Sequence, residues 1–136
     1  MAVAADLPAV APGALVRHAV FPRSALGYVA ERRRLRYFPA ATRRMPELRE
    51  AFLYRKLFLN KATAEFDLAL AGAALAAATR SRKPLALAAP FALRIAKIAA
   101  PHGRTAPLVA ATELAAYAVG AYSLAIGTIS QRTPVL

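Results

Sequence analysis

Residues 105–129 read TAPLVAATELAAYAVGAYSLAIGTI, and this stretch decides the fold class. Its only charge is Glu113, and the run is long enough for one helix to cross a bilayer with some tilt. Ala116, Gly120, Ser123 and Gly127 recur at helical spacing and form a stripe of small residues. Glu113 lies three residues before Ala116 and so falls near that stripe. Small side chains let helices approach closely in a membrane, and an acid inside an apolar segment normally faces protein. The stripe is therefore read as a packing face. Its expected partner is the preceding helical hairpin, where Arg94 or Lys97 would supply a positive charge for Glu113. The alternative is a Glu113 at headgroup level that points to water. Whether the helix spans or lies shallowly is left open by the pattern.

Working upstream, residues 68–79 form the uncharged run LALAGAALAAAT, shorter than the roughly 20 residues a spanning helix needs. Arg80, Arg82 and Lys83 end it. Pro84 then opens a second apolar run, LALAAPFALRIA at residues 85–96. Two short apolar pieces around a basic turn predict a re-entrant or interfacial helical hairpin. Thr63 looks like the N-cap of its first arm, with Glu65 and Asp67 in the following turn. On that reading the two acids serve capping and are not a catalytic pair.

The front of the chain is different. Residues 17–61 hold twelve Lys and Arg against three acids, while the rest of the chain holds seven against four. The net charge of +12 accompanies a hydrophobic fraction of 58% and a mean hydropathy of +0.38. Such charge needs an anionic partner, and so much apolar sequence makes membrane lipid a better one than nucleic acid. Residues 14–21, ALVRHAVF, predict a short extended segment between Gly13 and Pro22. Ser24 offers the N-cap of a helix that runs to about Tyr37 and is stopped by Pro39. A second helix starts at Pro46, with Glu47 and Glu50 in its first turn and Leu48, Ala51, Phe52, Phe58 and Leu59 at helical spacing. Asn60 would close it in the left-handed conformation. Basic residues beside bulky apolar ones suit an interfacial helix. Arg32, Arg33, Arg34, Arg36, Arg43, Arg44, Arg55 and Lys56 are assigned to contact with anionic headgroups. A solvated basic face is the alternative for ERRRLR.

The expected fold is thus mainly α, with amphipathic and apolar helices behind a short N-terminal extended segment, and membrane-associated. Residues 23–62 form its basic amphipathic region and residues 63–136 its apolar region. The chain has no Cys, which excludes disulfides, thiol catalysis and zinc-thiolate sites. It has no P-loop, dinucleotide-binding glycine pattern, paired-histidine metal motif or GxSxG elbow. The first ten residues lack the basic start and long apolar run of a secretory signal.

Taken in order, LVRHAVFPRS, YVAERRRLRYFP and RRMPELREAFLYRKLFLNKATAEFDLALAG resemble the C-terminal region of bacterial family 2 glycosyltransferases. The terminal YSLAIGTISQRTPVL is similar to that family's ending. The resemblance implies an inverting GT-A-type enzyme that uses a nucleotide-diphospho-sugar donor, with residues 1–22 as the end of its catalytic domain. The family's Asp-x-Asp motif and acidic base have no counterpart here. The resemblance therefore implies a membrane-anchoring fragment on the cytoplasmic face of the cell membrane, near an envelope-glycan or lipid-linked acceptor. It also implies that His18, in VRHAV, helps bind a divalent metal (Mg or Mn) in a full-length enzyme, with no cofactor held by this chain alone. A structural histidine is the other reading of His18. A small basic membrane scaffold without catalysis is the alternative for the whole chain.

Overall fold

A computed structural model describes residues 24–136, so the extended segment at residues 14–21, and His18 within it, lie outside the described residues. The fold is mainly α. Ser24 caps the first helix as expected, its Oγ accepting from the Gly27 N–H at 3.1 Å. Helix α1 (Ala25–Glu31) then tightens into a 3₁₀ segment (Arg32–Tyr37) and relaxes again into α2 (Phe38–Arg44). Pro39 does not stop the chain. It sits in the first turn of α2, where its missing N–H would have no partner anyway. The result is one helical rod with a tight centre.

The helix expected from Pro46 to Asn60 is mostly absent. Only α3 (Leu48–Ala51) forms. Beyond it Arg55 and Lys56 take φ values of +52° and +61°, and Tyr54 pairs with Phe58 in an isolated bridge. Left-handed non-glycine residues cost on the order of 1–2 kcal/mol each, so something must hold them there. The end of the chain does so. The Leu136 N–H donates to the Leu57 carbonyl at 2.9 Å, and the Leu59 N–H donates to the Leu136 carbonyl at 2.6 Å. Arg49 donates to the carbonyls of Lys56 and Pro134, tying the loop to the tail. Leu53 buries against Leu124 and Val135, with Leu35, Phe38 and Leu59 packed around them. An uninterrupted helix would carry those backbone edges away from the tail.

Asn60 ends no helix; it begins one. Its side chain accepts from the Thr63 N–H at 3.0 Å, and the Asn60 N–H donates to Thr63 Oγ1 at 3.1 Å. That reciprocal box opens α4 (Lys61–Thr79). Thr63, expected as the cap, is its third residue. Arg80 ends α4 in the left-handed conformation, and a 3₁₀ segment (Lys83–Ala88) folds back into α5 (Ala89–Ala99). The helical hairpin is therefore present. Gly72 makes it possible: a Cβ there would lie 2.6 Å from the Pro84 carbonyl oxygen. Further along, Phe66 of α4, Phe91 of α5 and Tyr117 stack with centroids 5.0–5.8 Å apart. A last 3₁₀ segment (Ala100–Thr105) kinks at Gly103, whose φ of +53° and ψ of −121° suit glycine alone. It delivers the chain into α6 (Ala106–Gln131), the long apolar helix expected from the sequence.

Candidate membrane-facing surface and polar cavity

The small-residue stripe of α6 is buried. Ala116 is 1% exposed and Ser123 5%, and Gly120 and Gly127 are buried with them. Its partner differs from the expectation, because it is the basic rod and not the hairpin. A Cβ on Gly120 would meet Leu35 Cδ1 at 3.2 Å, and one on Gly127 would run into the Arg36 carbonyl oxygen. At one end Tyr28 reaches Glu113, and at the other Arg43 donates to the Gln131 carbonyl at 3.3 Å. The rod therefore lies along the length of α6, in the same direction. Leu108, Leu114, Tyr122 and Ile129 are exposed on other sides of α6.

Glu113 has a neutral partner. Tyr28 Oη donates to Glu113 Oε2 at 3.2 Å and accepts from Arg32 Nη2 at 2.7 Å, so the tyrosine relays between the two charges. Arg94 is engaged elsewhere, donating from Nε to Glu65 Oε2 at 2.5 Å. Glu65 thus holds the hairpin together and caps nothing. Replacing Tyr28 with Phe removes both hydrogen bonds and leaves a part-buried carboxylate and guanidinium without their bridge. A loss of about 1–3 kcal/mol is expected, read as a lower Tm in detergent.

The residues assigned to headgroups sit mainly at the surface. Arg33, Arg34, Arg36, Arg43, Arg44, Arg55 and Lys56 are exposed, while Arg32 is half-buried with its guanidinium 4.8 Å from the Tyr28 ring centroid. Arg36 stacks on and donates to Tyr37, and Arg55 lies over Tyr54. Lys56 pairs with Glu50 at 2.7 Å, which holds the Glu50 carboxyl below its ordinary range. Leu26, Tyr37, Met45 and Phe52 are exposed among these cations. Such a mixture of aromatic, aliphatic and basic side chains suits an interfacial layer.

The apolar layer is just as open. Two helical stretches, Lys61–Thr79 and Lys83–Gln131, are long and apolar enough to cross a membrane, although their most apolar windows are only 17% and 22% buried. A helix at the core of a soluble protein would be mostly buried. These helices instead leave Leu68, Leu70, Leu75, Leu85 and Leu93 at 41–62% exposure. That exposure is compatible with membrane association.

Between the rod, the start of α4 and α6 lies a cavity of about 110 Å³. Arg32, Asn60, Thr63, Asp67 and Tyr117 give it polar walls inside an otherwise apolar lining. Asp67 lines this cavity, and its Oδ2 is buried without a hydrogen-bond partner among the described residues. Sequence reasoning missed this residue by assigning it to helix capping. Asp67 borders the uncharged run at residues 68–79, and that position is the cue the sequence carried. His102 is exposed, and among the described residues no three His, Asp or Glu side chains are grouped to hold a metal. Comparison with protein-family models, with curated proteins and with solved structures found no match.

Proposed function

We propose that this chain is a membrane-surface anchor whose helices lie in one leaflet, with the basic rod against anionic headgroups and the apolar faces in the acyl region. The observation that carries this reading is the course of the basic rod along α6. If α6 stood across the bilayer, the exposed Arg33, Arg34 and Arg36 would be carried beside it into hydrocarbon. A central arginine costs about 2.5–3.5 kcal/mol on insertion scales, roughly 8–10 kcal/mol for the three. Lying in the interface, each contributes about 1 kcal/mol of headgroup attraction. The difference favours the in-plane arrangement. An anionic leaflet of this kind fits the cytoplasmic face of a cell membrane.

The resemblance of residues 15–67 supplies a cargo for the anchor. It extends the proposal to the attachment of a family 2 glycosyltransferase domain, acting with a nucleotide-diphospho-sugar donor on an envelope-glycan or lipid-linked acceptor. That extension rests on the residue pattern alone. A small membrane scaffold without catalysis would use the same surface.

Vesicle sedimentation tests the anchor. Binding to vesicles with 30% anionic lipid (roughly the content that charges a leaflet) is expected to weaken as salt rises, leaving a salt-resistant remainder from the apolar faces. Equal binding to neutral and anionic vesicles at low salt would contradict the headgroup role of the rod.

A further inference from the structure

We propose that the polar cavity and the groove beside it form a binding site for one phospholipid whose headgroup ends in a primary ammonium. This rests on the membrane-surface reading and names a lipid that the anchor holds individually.

Asp67 carries the first part of the argument. A buried carboxylate oxygen without a donor is costly, and native structures normally satisfy such atoms with protein, water or a ligand. A cavity of about 110 Å³ adjoins it, far more than one water needs. Its walls are divided in charge. Asp67 calls for a cationic donor, and Arg32 on the opposite element, which gives one N–H to Tyr28, has further N–H donors for an anion. A zwitterionic headgroup meets both needs, with N–H donors toward Asp67 and phosphate oxygens toward Arg32.

The second part is the neighbouring groove, of about 460 Å³, which shares Asp67 and Leu136 with the cavity. Phe58, Ala64, Leu68 and Ala71 give it an apolar lining, to which Arg55 and Lys61 add positive charge. Small alanines on α4 leave room for a chain of methylenes to lie along the helix. The polar cavity and the apolar groove share Asp67 and Leu136, so a lipid whose headgroup enters the cavity has its acyl chains beside the groove.

The probe is phosphatidylethanolamine, compared with phosphatidylcholine of identical acyl chains. The choline headgroup keeps its positive charge but has no N–H to donate. Full-length protein is purified in detergent, loaded with each lipid and analysed by native mass spectrometry. Retention of the ethanolamine lipid is expected to exceed that of the choline lipid by about tenfold, as one charge-assisted hydrogen bond provides. Asp67→Asn should abolish the preference while leaving Tm unchanged or raised, since it removes a buried charge that lacks a partner. Ala71→Trp, which fills the groove and leaves Asp67 in place, should lower retention of both lipids. Equal retention of the two lipids by the native protein would overturn the proposal, and so would a preference that survives Asp67→Asn. Soluble phosphoethanolamine is expected to compete poorly; full competition at equal concentration would overturn the role of the groove. Because the measurement needs no bilayer, lipid retention without vesicle binding would fault the anchor alone. Vesicle binding without lipid preference would fault this site alone.

Discussion

Gly127→Leu is expected to abolish the native packing of α6, with a loss of stability above about 3 kcal/mol, the upper end of ordinary overpacking. The reason is local. The added Cβ would meet the Arg36 backbone, and Pro39 Cγ would lie 3.0 Å from it. Backbone inside a helical rod cannot rotate aside as a side chain can, so the rod and α6 must separate. Gly120→Leu makes the useful contrast. Its nearest neighbour is the end of the Leu35 side chain at 3.2 Å, which can take another rotamer, so a smaller loss of about 1–2 kcal/mol is expected. Circular-dichroism melts in detergent would rank the two variants. Equal tolerance of both would mean that α6 and the basic rod are not held in the register described.

The second large effect concerns binding. Replacing Arg33, Arg34, Arg36, Arg43 and Arg44 together by Gln removes five exposed cations from the rod. At about 1 kcal/mol for each cation near an anionic surface, vesicle affinity should fall by three to four orders of magnitude at low salt. Two of these side chains also make protein contacts, Arg36 with Tyr37 and Arg43 with the Gln131 carbonyl. The variant should therefore melt slightly lower while staying folded, because exposed contacts of this kind contribute little. On neutral vesicles its binding should match that of the native chain. A native affinity for anionic vesicles would show that the cations do not face the headgroups.

The comparison of sequence with structure separates two kinds of information. Apolar periodicity and small-residue spacing are properties of one helix, and they located α6, its buried stripe and the hairpin arms without help from the rest of the chain. The partner of the stripe was not legible, because Glu113 is met by a tyrosine 85 positions away in sequence. Nearest-charge reasoning favoured Arg94, which is held by Glu65. The loop at residues 52–60 shows the same limit. Leu48, Phe52 and Leu59 carry a helical rhythm, yet backbone hydrogen bonds from Leu136 turn the segment into left-handed turns. Local propensity is a weak prior where a distant strand of chain can satisfy the backbone. Asn60 and Asp67 were misread for a related reason. Asn caps either end of a helix, and an acid near a helix start looks like a capping residue until the cavity beside it is seen.

The account depends most on α6 lying in the membrane plane, and depth measurement tests that directly. The chain has no cysteine, so single spin labels can be introduced at Leu108, Leu114, Tyr122 and Ile129, all exposed on α6. Collision with oxygen and with a water-soluble nickel complex then reports the depth of each label in anionic vesicles. From position 108 to 129 the helix rises about 30 Å, the thickness of the hydrocarbon core. In-plane binding predicts similar, shallow depths at all four sites, with a label at Arg34 nearer to water than any of them. A steady change in depth along α6, passing through the bilayer centre and emerging on the far side, would contradict it.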